Sequence, residues 1–114
     1  MAVTVAGITA PVNGDRLWRS LMDMGEIGAT PGGGVGRIAL TDLDKAGRDL
    51  FVDWCKDAGL AVRIDRMGNI IGRRAGADNG APPVVTGSHL DSQPLGGKFD
   101  GAYGVLAGLE VVRA

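Results

Sequence analysis

Between Asn13 and Glu26 the apolar positions Leu17, Leu21 and Met24 alternate with Asp15, Arg19 and Asp23. Spacings of three and four place the first set on one helical face. Asn13 offers an N-cap oxygen, and Gly25 and Gly28 can close the last turn. The pattern predicts a helix over 13–26. A glycine-rich loop follows over 29–37, with Pro31 and glycines at 32, 33, 34 and 36. Thr41-Asp42-Leu43-Asp44 then has the spacing of a capping box, with Asp where Glu is usual. Behind it Leu43, Leu50, Phe51, Trp54, Cys55 and Ala58 form a broad apolar stripe, and Gly59 ends this second helix.

The period then changes to two. Leu60, Val62 and Ile64 face one way, Arg63 and Asp65 the other, which predicts a strand. Met67-Gly68-Asn69 is a turn signal, and Asn69–Arg74 continues as the second arm of a hairpin. After a polar loop over 76–82, Pro83–Ser88 is a short apolar run that predicts a buried central strand. Residues 90–99 read as loop. Gly101–Arg113 is a helix that is apolar nearly all round, with glycines at 101, 104 and 108. Glycine inside a helix costs stability, so these three predict close packing against a sheet. The order α-α-β-β-β-α implies an α/β fold, the first half of a mixed-sheet domain.

Composition narrows the chemistry. Glycine supplies 20 of 114 residues, more than twice its usual share of about 7%. It follows no three-residue repeat, which excludes collagen. The single cysteine, Cys55, cannot form an intramolecular disulfide, and with one histidine, His89, no Cys/His zinc finger can be built. Twelve basic and thirteen acidic side chains give a net charge of −1, and aromatic residues are 4% of the chain. Nothing here offers nucleic acid an electrostatic or stacking footprint, so no nucleic-acid partner is expected. No apolar run reaches the eighteen or so residues of a membrane span, so no membrane partner is expected either. Residues 1–12 are mildly apolar and carry no Lys or Arg. They read as a short leader or an edge strand rather than a signal peptide, and the expected location is cytoplasmic.

The stretch that carries chemistry is Gly87-Ser88-His89-Leu90-Asp91-Ser92 followed by Gly96-Gly97-Lys98-Phe99-Asp100-Gly101. His89 stands at the end of the expected buried strand, where ligand sites form in open α/β sheets. Asp91 is two residues on, so in extended backbone it points to the same side and can accept the second imidazole N–H. Asp100 opens the last helix, where the dipole favours an anion. Its two oxygens can hold two cations, as paired metal sites require. On these residues alone, metal ligation and a packed or surface histidine both remain open.

The same residues, with Gly104-Val105-Leu106-Ala107-Gly108-Leu109-Glu110 behind them, resemble the metal motif of a known family. This is the N-carbamoyl-L-amino-acid hydrolase, β-ureidopropionase and allantoate amidohydrolase family, part of the clan of dinuclear-metal aminoacylases and carboxypeptidases. Upstream, Ile27-Gly28-Ala29-Thr30-Pro31, Leu40-Thr41 and Asp65-Arg66-Met67-Gly68-Asn69 share the resemblance. It implies that residues 13–114 are the N-terminal portion of a three-layer metallohydrolase catalytic domain. His89 would be a terminal ligand of one metal, Asp100 a bridge between two, and Asp91 the residue that orients His89. The cofactors would be two divalent ions (Zn, Mn, Co or Ni), and the substrate a small N-carbamoyl or ureido compound. The family's general-base glutamate, its further histidine ligands and its dimerising domain have no counterpart here, and Glu110 does not fill the base's role. The expectation is therefore a piece of a several-fold longer homodimeric enzyme, inactive by itself. An aminoacylase or dipeptidase of the same clan, or a non-catalytic fragment, is the alternative.

Other features have plainer readings. Gly32–Gly36 lacks the Gly-Lys-Ser/Thr ending of a phosphate loop and no strand precedes it, so it reads as a flexible loop. Cys55, on an apolar stripe, reads as a buried structural thiol. Trp18 and Trp54 read as core or half-buried helix residues, and Lys98 as a solvated charge. Ser92 and Gln93 read equally well as site lining or as a loop tip. Ser88 beside His89 is not a triad, and no G-x-S-x-G elbow is present.

Overall fold

The computed structural model describes residues 11–114. The segment read as a leader or edge strand lies outside the described residues, except for Pro11 and Val12. Three helices and one hairpin follow in the order α1 (Gly14–Glu26), α2 (Asp42–Asp57), β1 (Ala61–Ile64), β2 (Ile70–Arg73) and α3 (Ala102–Arg113). No described helix is long and apolar enough to cross a membrane.

The first two helices start where their capping chemistry starts. The Asn13 side chain accepts the Arg16 N–H at 2.8 Å, satisfying one of the free donors of the first turn of α1. At α2 the Thr41 hydroxyl accepts the Asp44 N–H at 3.3 Å. The shorter Asp44 carboxylate reaches back to the N–H of Leu40 at 3.0 Å, one residue before the donor that a capping-box glutamate serves. The hairpin pairs Val62 with Gly72 and Ile64 with Ile70 in antiparallel register. Its turn is organised by Asp65, whose carboxylate accepts the N–H groups of Met67 and Asn69, each at 2.9 Å. Gly68 takes the left-handed conformation there, with φ at 89°.

The core lies between the helices. Leu21 and Met24 of α1 meet Ala102, Leu106 and Leu109 of α3, and the cluster continues through Leu90 to Cys55 and Leu60. Of the apolar faces read for α1 and α2, Leu21, Met24 and Cys55 are buried, Leu17, Leu50, Phe51, Trp54 and Ala58 are half-buried against them, and Leu43 is 44% exposed. Across this core Glu110 of α3, buried, accepts from Arg16 Nε and Nη2 and from the Asn13 N–H.

Two expectations need correction. Pro83–Ser88 is not a strand: among the described residues the sheet contains β1 and β2 only. Val84 is fully exposed and Val85 is 81% exposed. A strand needs a backbone neighbour, and none of the described residues provides one for this run. It packs instead against the glycine face of α3. The observed order is α-α-β-β-α, still α/β in class. The second correction concerns the loop over 29–37, which is not loose. Val35 is completely buried and bridges to both Ala29 and Gly96. The Val35–Gly96 exchange has both N–H···O bonds at 2.9 Å. Gly34 and Gly36 are needed for that approach, because a side chain on either would strike the carbonyl of Gly96 or Pro94.

Candidate functional site

The three residues singled out from the sequence stand together at the junction of the 82–93 segment and α3. His89 Nδ1 lies 3.0 Å from the carbonyl oxygen of Asp91 and 3.2 Å from its Oδ1. Both partners are acceptors, so Nδ1 is the ring nitrogen that carries the proton. The other nitrogen, Nε2, faces Asp100 Oδ1 at 3.9 Å. That is too long for a hydrogen bond. All three side chains are open to solvent, with exposures of 52%, 43% and 74% for His89, Asp91 and Asp100.

Backbone geometry sets this arrangement. Gly101, between Asp100 and α3, has φ at 73°, a conformation that L side chains resist. A Cβ there would stand 2.5 Å from His89 Nδ1 and would also run into the histidine's carbonyl. One turn on, a Cβ at Gly104 would stand 2.8 Å from Ser88 Cβ, and at Gly108 the same distance from Thr86 Cγ2. The three glycines therefore form a groove along α3 in which Thr86, Ser88 and His89 lie. The close packing read from their spacing is present, but against a single extended segment and not a sheet. On the other flank, Phe99 packs at a tilt against Trp18 with ring centroids 5.9 Å apart, tying the residue before Asp100 to α1.

Imidazole nitrogen and carboxylate oxygen are the donors that Zn²⁺ and related divalent ions accept. With bonds of about 2.0–2.2 Å in tetrahedral geometry, an imidazole and a carboxylate ligand of one such ion stand about 3.3 Å apart. The 3.9 Å between Nε2 and Oδ1 is longer than that by about half an ångström, a gap that a small turn of the exposed Asp100 side chain closes. Among the described residues, no group of three or more His, Cys, Asp or Glu side chains is gathered for a metal. His89 and Asp100 thus have the donor chemistry of a ligand pair but are not a whole site.

Other side chains sort by what they touch. Ser92 accepts the Arg37 N–H at 2.8 Å and donates to backbone carbonyls, so it braces the loop instead of lining the site. Cys55 is fully buried, and desolvation pushes its thiol above the ordinary range, as a structural thiol requires. Trp18 is half-exposed. Glu110, paired with Arg16, is held below the usual carboxylate range by that hydrogen bond, against the opposing effect of burial. Sequence reasoning missed Arg37, which is 1% exposed and donates to three backbone carbonyls, that of Leu90 beside Asp91 and those of Met24 and Ile27 at the end of α1. The trace it leaves in the sequence is Gly47 in the middle of α2, where a Cβ would lie 2.8 Å from Arg37 Cδ.

No family model matches the chain. Individual proteins do. An N-carbamoyl-L-amino-acid amidohydrolase of Rhizobium meliloti is 57% identical over 102 residues, covering 90% of this chain and 24% of that protein. An N-carbamoyl-L-amino acid amidohydrolase of Geobacillus stearothermophilus is 48% identical over 102 residues, covering 90% of this chain and 25% of the relative. The crystal structure of a hydantoinase/carbamoylase family amidase from Burkholderia ambifaria superposes with a TM-score of 0.87 at 67% identity, over 90% of this chain and 25% of the other. The chain spans about a quarter of the length of the relatives it matches. Through sequence and fold together, it belongs to the hydantoinase/carbamoylase family of amidases, the family of the N-carbamoyl-L-amino-acid hydrolases.

Proposed function

We propose that this chain is the part of a metal-dependent amidohydrolase that supplies the first metal ligands, and that the enzyme cleaves the linear C–N bond of an N-carbamoyl-L-amino acid. The observation that carries the reading is the division of labour on His89. Asp91 occupies Nδ1, which leaves the Nε2 lone pair directed at Asp100. A carboxylate on the far nitrogen is the usual companion of a metal-binding histidine.

In this reading His89, through Nε2, and Asp100 would hold divalent ions (Zn, Mn, Co or Ni). Such ions, when bound, supply Lewis acidity that polarises a carbonyl and acidifies water. The residues of this chain hold and orient. Asp91 fixes the proton on Nδ1 and so the direction of the Nε2 lone pair. Gly101 lets the start of α3 approach the imidazole, and the positive end of that helix favours the Asp100 carboxylate. The remaining ligands and the general base belong to other parts of the polypeptide, so residues 1–114 by themselves are inactive. The whole enzyme is a cytoplasmic homodimer acting on a small ureido substrate.

The test uses the full gene product. His89→Ala and Asp100→Ala should each abolish both metal loading and release of ammonia from N-carbamoyl-L-amino acids, read by elemental analysis and an ammonia assay. Full activity in either variant would sink the assignment. Turnover of N-acetyl amino acids or dipeptides, with none of N-carbamoyl ones, would replace it by an aminoacylase or dipeptidase.

A further inference from the structure

Arg37 is a buried cation with no carboxylate hydrogen-bonded to it among the described residues. Its Nη1 donates to the carbonyls of Met24 and Ile27 at 2.9 and 2.7 Å, at the C-terminal end of α1. Helix ends leave such carbonyls free, and the dipole there attracts a cation. Its Nε donates in the other direction, to the carbonyl of Leu90 at 2.8 Å. The main chain of the same residue grips the loop again. The Arg37 N–H donates to Ser92 Oγ at 2.8 Å and its carbonyl accepts the Ser92 N–H at 2.7 Å. Leu90 and Ser92 are the two neighbours of Asp91. Residue 37 therefore fastens the chain on both sides of Asp91 and refers it to the rigid end of α1. Burial lowers the guanidinium's pKa, and the nearby charges of Asp44 and Asp91 oppose that shift.

We infer that Arg37 is the positioning residue of the site, the group that delivers the Asp91 carboxylate and carbonyl to His89 Nδ1. Arg37 approaches no reacting atom itself. The inference rests on the proposed function for what His89 does, while its geometry stands apart from it. A planar fork reaches the α1 carbonyls and Leu90 at once; a lysine ammonium at the end of a single stem serves one side only. Gly47 is the opening in α2 through which the stem passes.

The experiment reads the histidine ring without metal or substrate. ¹⁵N-labelled histidine is incorporated into the gene product, and the His89 signals are identified by their loss in His89→Gln. In alkaline buffer the wild-type ring should hold its proton on Nδ1. Arg37→Lys, which keeps the charge, and Ser92→Ala, which leaves the buried cation in place, should each weaken that preference roughly tenfold, the value of one good hydrogen bond. Leu60→Ala, a core change at the entry of β1, controls for general loosening and should leave the ring unaltered. Wild-type ring signals in both Arg37→Lys and Ser92→Ala overturn the inference, and so does an equal shift in Leu60→Ala. Far-UV circular dichroism verifies that each variant is folded. If Arg37→Lys is not, Ser92→Ala decides alone. A protein that takes up no metal and cleaves no carbamoyl substrate, yet shows the tautomer shift, refutes the proposed function and leaves this inference standing.

Discussion

Asp91 makes two contacts with one imidazole nitrogen, through its carbonyl and its carboxylate. Only the carboxylate is charged, and a charged acceptor roughly doubles the strength of a hydrogen bond. Asp91→Asn keeps the size and one acceptor oxygen but removes the charge. In the full gene product we expect metal affinity to fall about 10- to 100-fold, with the thermal midpoint nearly unchanged, because the side chain is 43% exposed. Chelator competition measures the first and a melting curve the second; unchanged affinity would remove Asp91 from the site. The contact between His89 and Asp91 was legible in the sequence, because a spacing of two carries it. Arg37 was not. Its partners are backbone carbonyls 10 to 53 residues away, and carbonyls have no residue identity to read. An arginine after a glycine run looks like a solvated loop charge until the fold encloses it.

At the scale of elements, the glycines of α3 show what local pattern can and cannot predict. Their spacing correctly called for a close neighbour, and caps at Asn13, Thr41 and Gly59 placed the helix ends to within a residue. The nature of the neighbour was misread. Val84-Val85-Thr86 has the composition of a central strand, yet pairing is a property of two segments and composition describes one. The loop over 29–37 was misread for the same reason, since its order comes from a bridge to Gly96 across the molecule. Packing at the groove makes a measurable difference between glycines. Alanine normally stabilises a helix interior by up to about 1 kcal/mol relative to glycine. At Gly104 the new Cβ would stand 2.8 Å from Ser88 Cβ, an atom fixed to the backbone. Overpacking of this kind costs about 1–3 kcal/mol, so Gly104→Ala should be destabilising on balance. Gly14, at the start of α1, has nothing within 4 Å of its would-be Cβ, and Gly14→Ala should be neutral or stabilising. Urea unfolding of the two variants tests the contrast, and equal midpoints would contradict the groove.

For the molecule as a whole, the longest-range ion pair among the described residues joins the first and last helices. Glu110 on α3 is buried, and Arg16 near the start of α1 holds it with two hydrogen bonds of 2.8 and 2.6 Å. The same carboxylate accepts the N–H of Asn13, so one side chain secures both the α1–α3 contact and the residue that caps α1. The Arg16 hydrogen bond is the largest cause of the lowered Glu110 pKa, followed by burial, which opposes it, and then by the Asn13 hydrogen bond. A carboxyl group whose folded pKa lies below its unfolded value binds fewer protons when folded. Its stabilisation is complete above the ordinary value of 4.5 and is lost as pH falls through the lowered folded value. Glu110→Gln should therefore melt several degrees below wild type at neutral pH. The gap should hold down to roughly pH 5.5 and then close as acid protonates Glu110 in the wild type. Asp65 is also lowered, chiefly by its hydrogen bonds from Asn69, but it titrates alike in both proteins and cancels from the difference. The measurement is a pair of melting curves at several pH values between about 3 and 7. A gap that stays constant through the acid range would mean that α1 and α3 are held together by their apolar contacts, with the ion pair contributing nothing that protonation can remove.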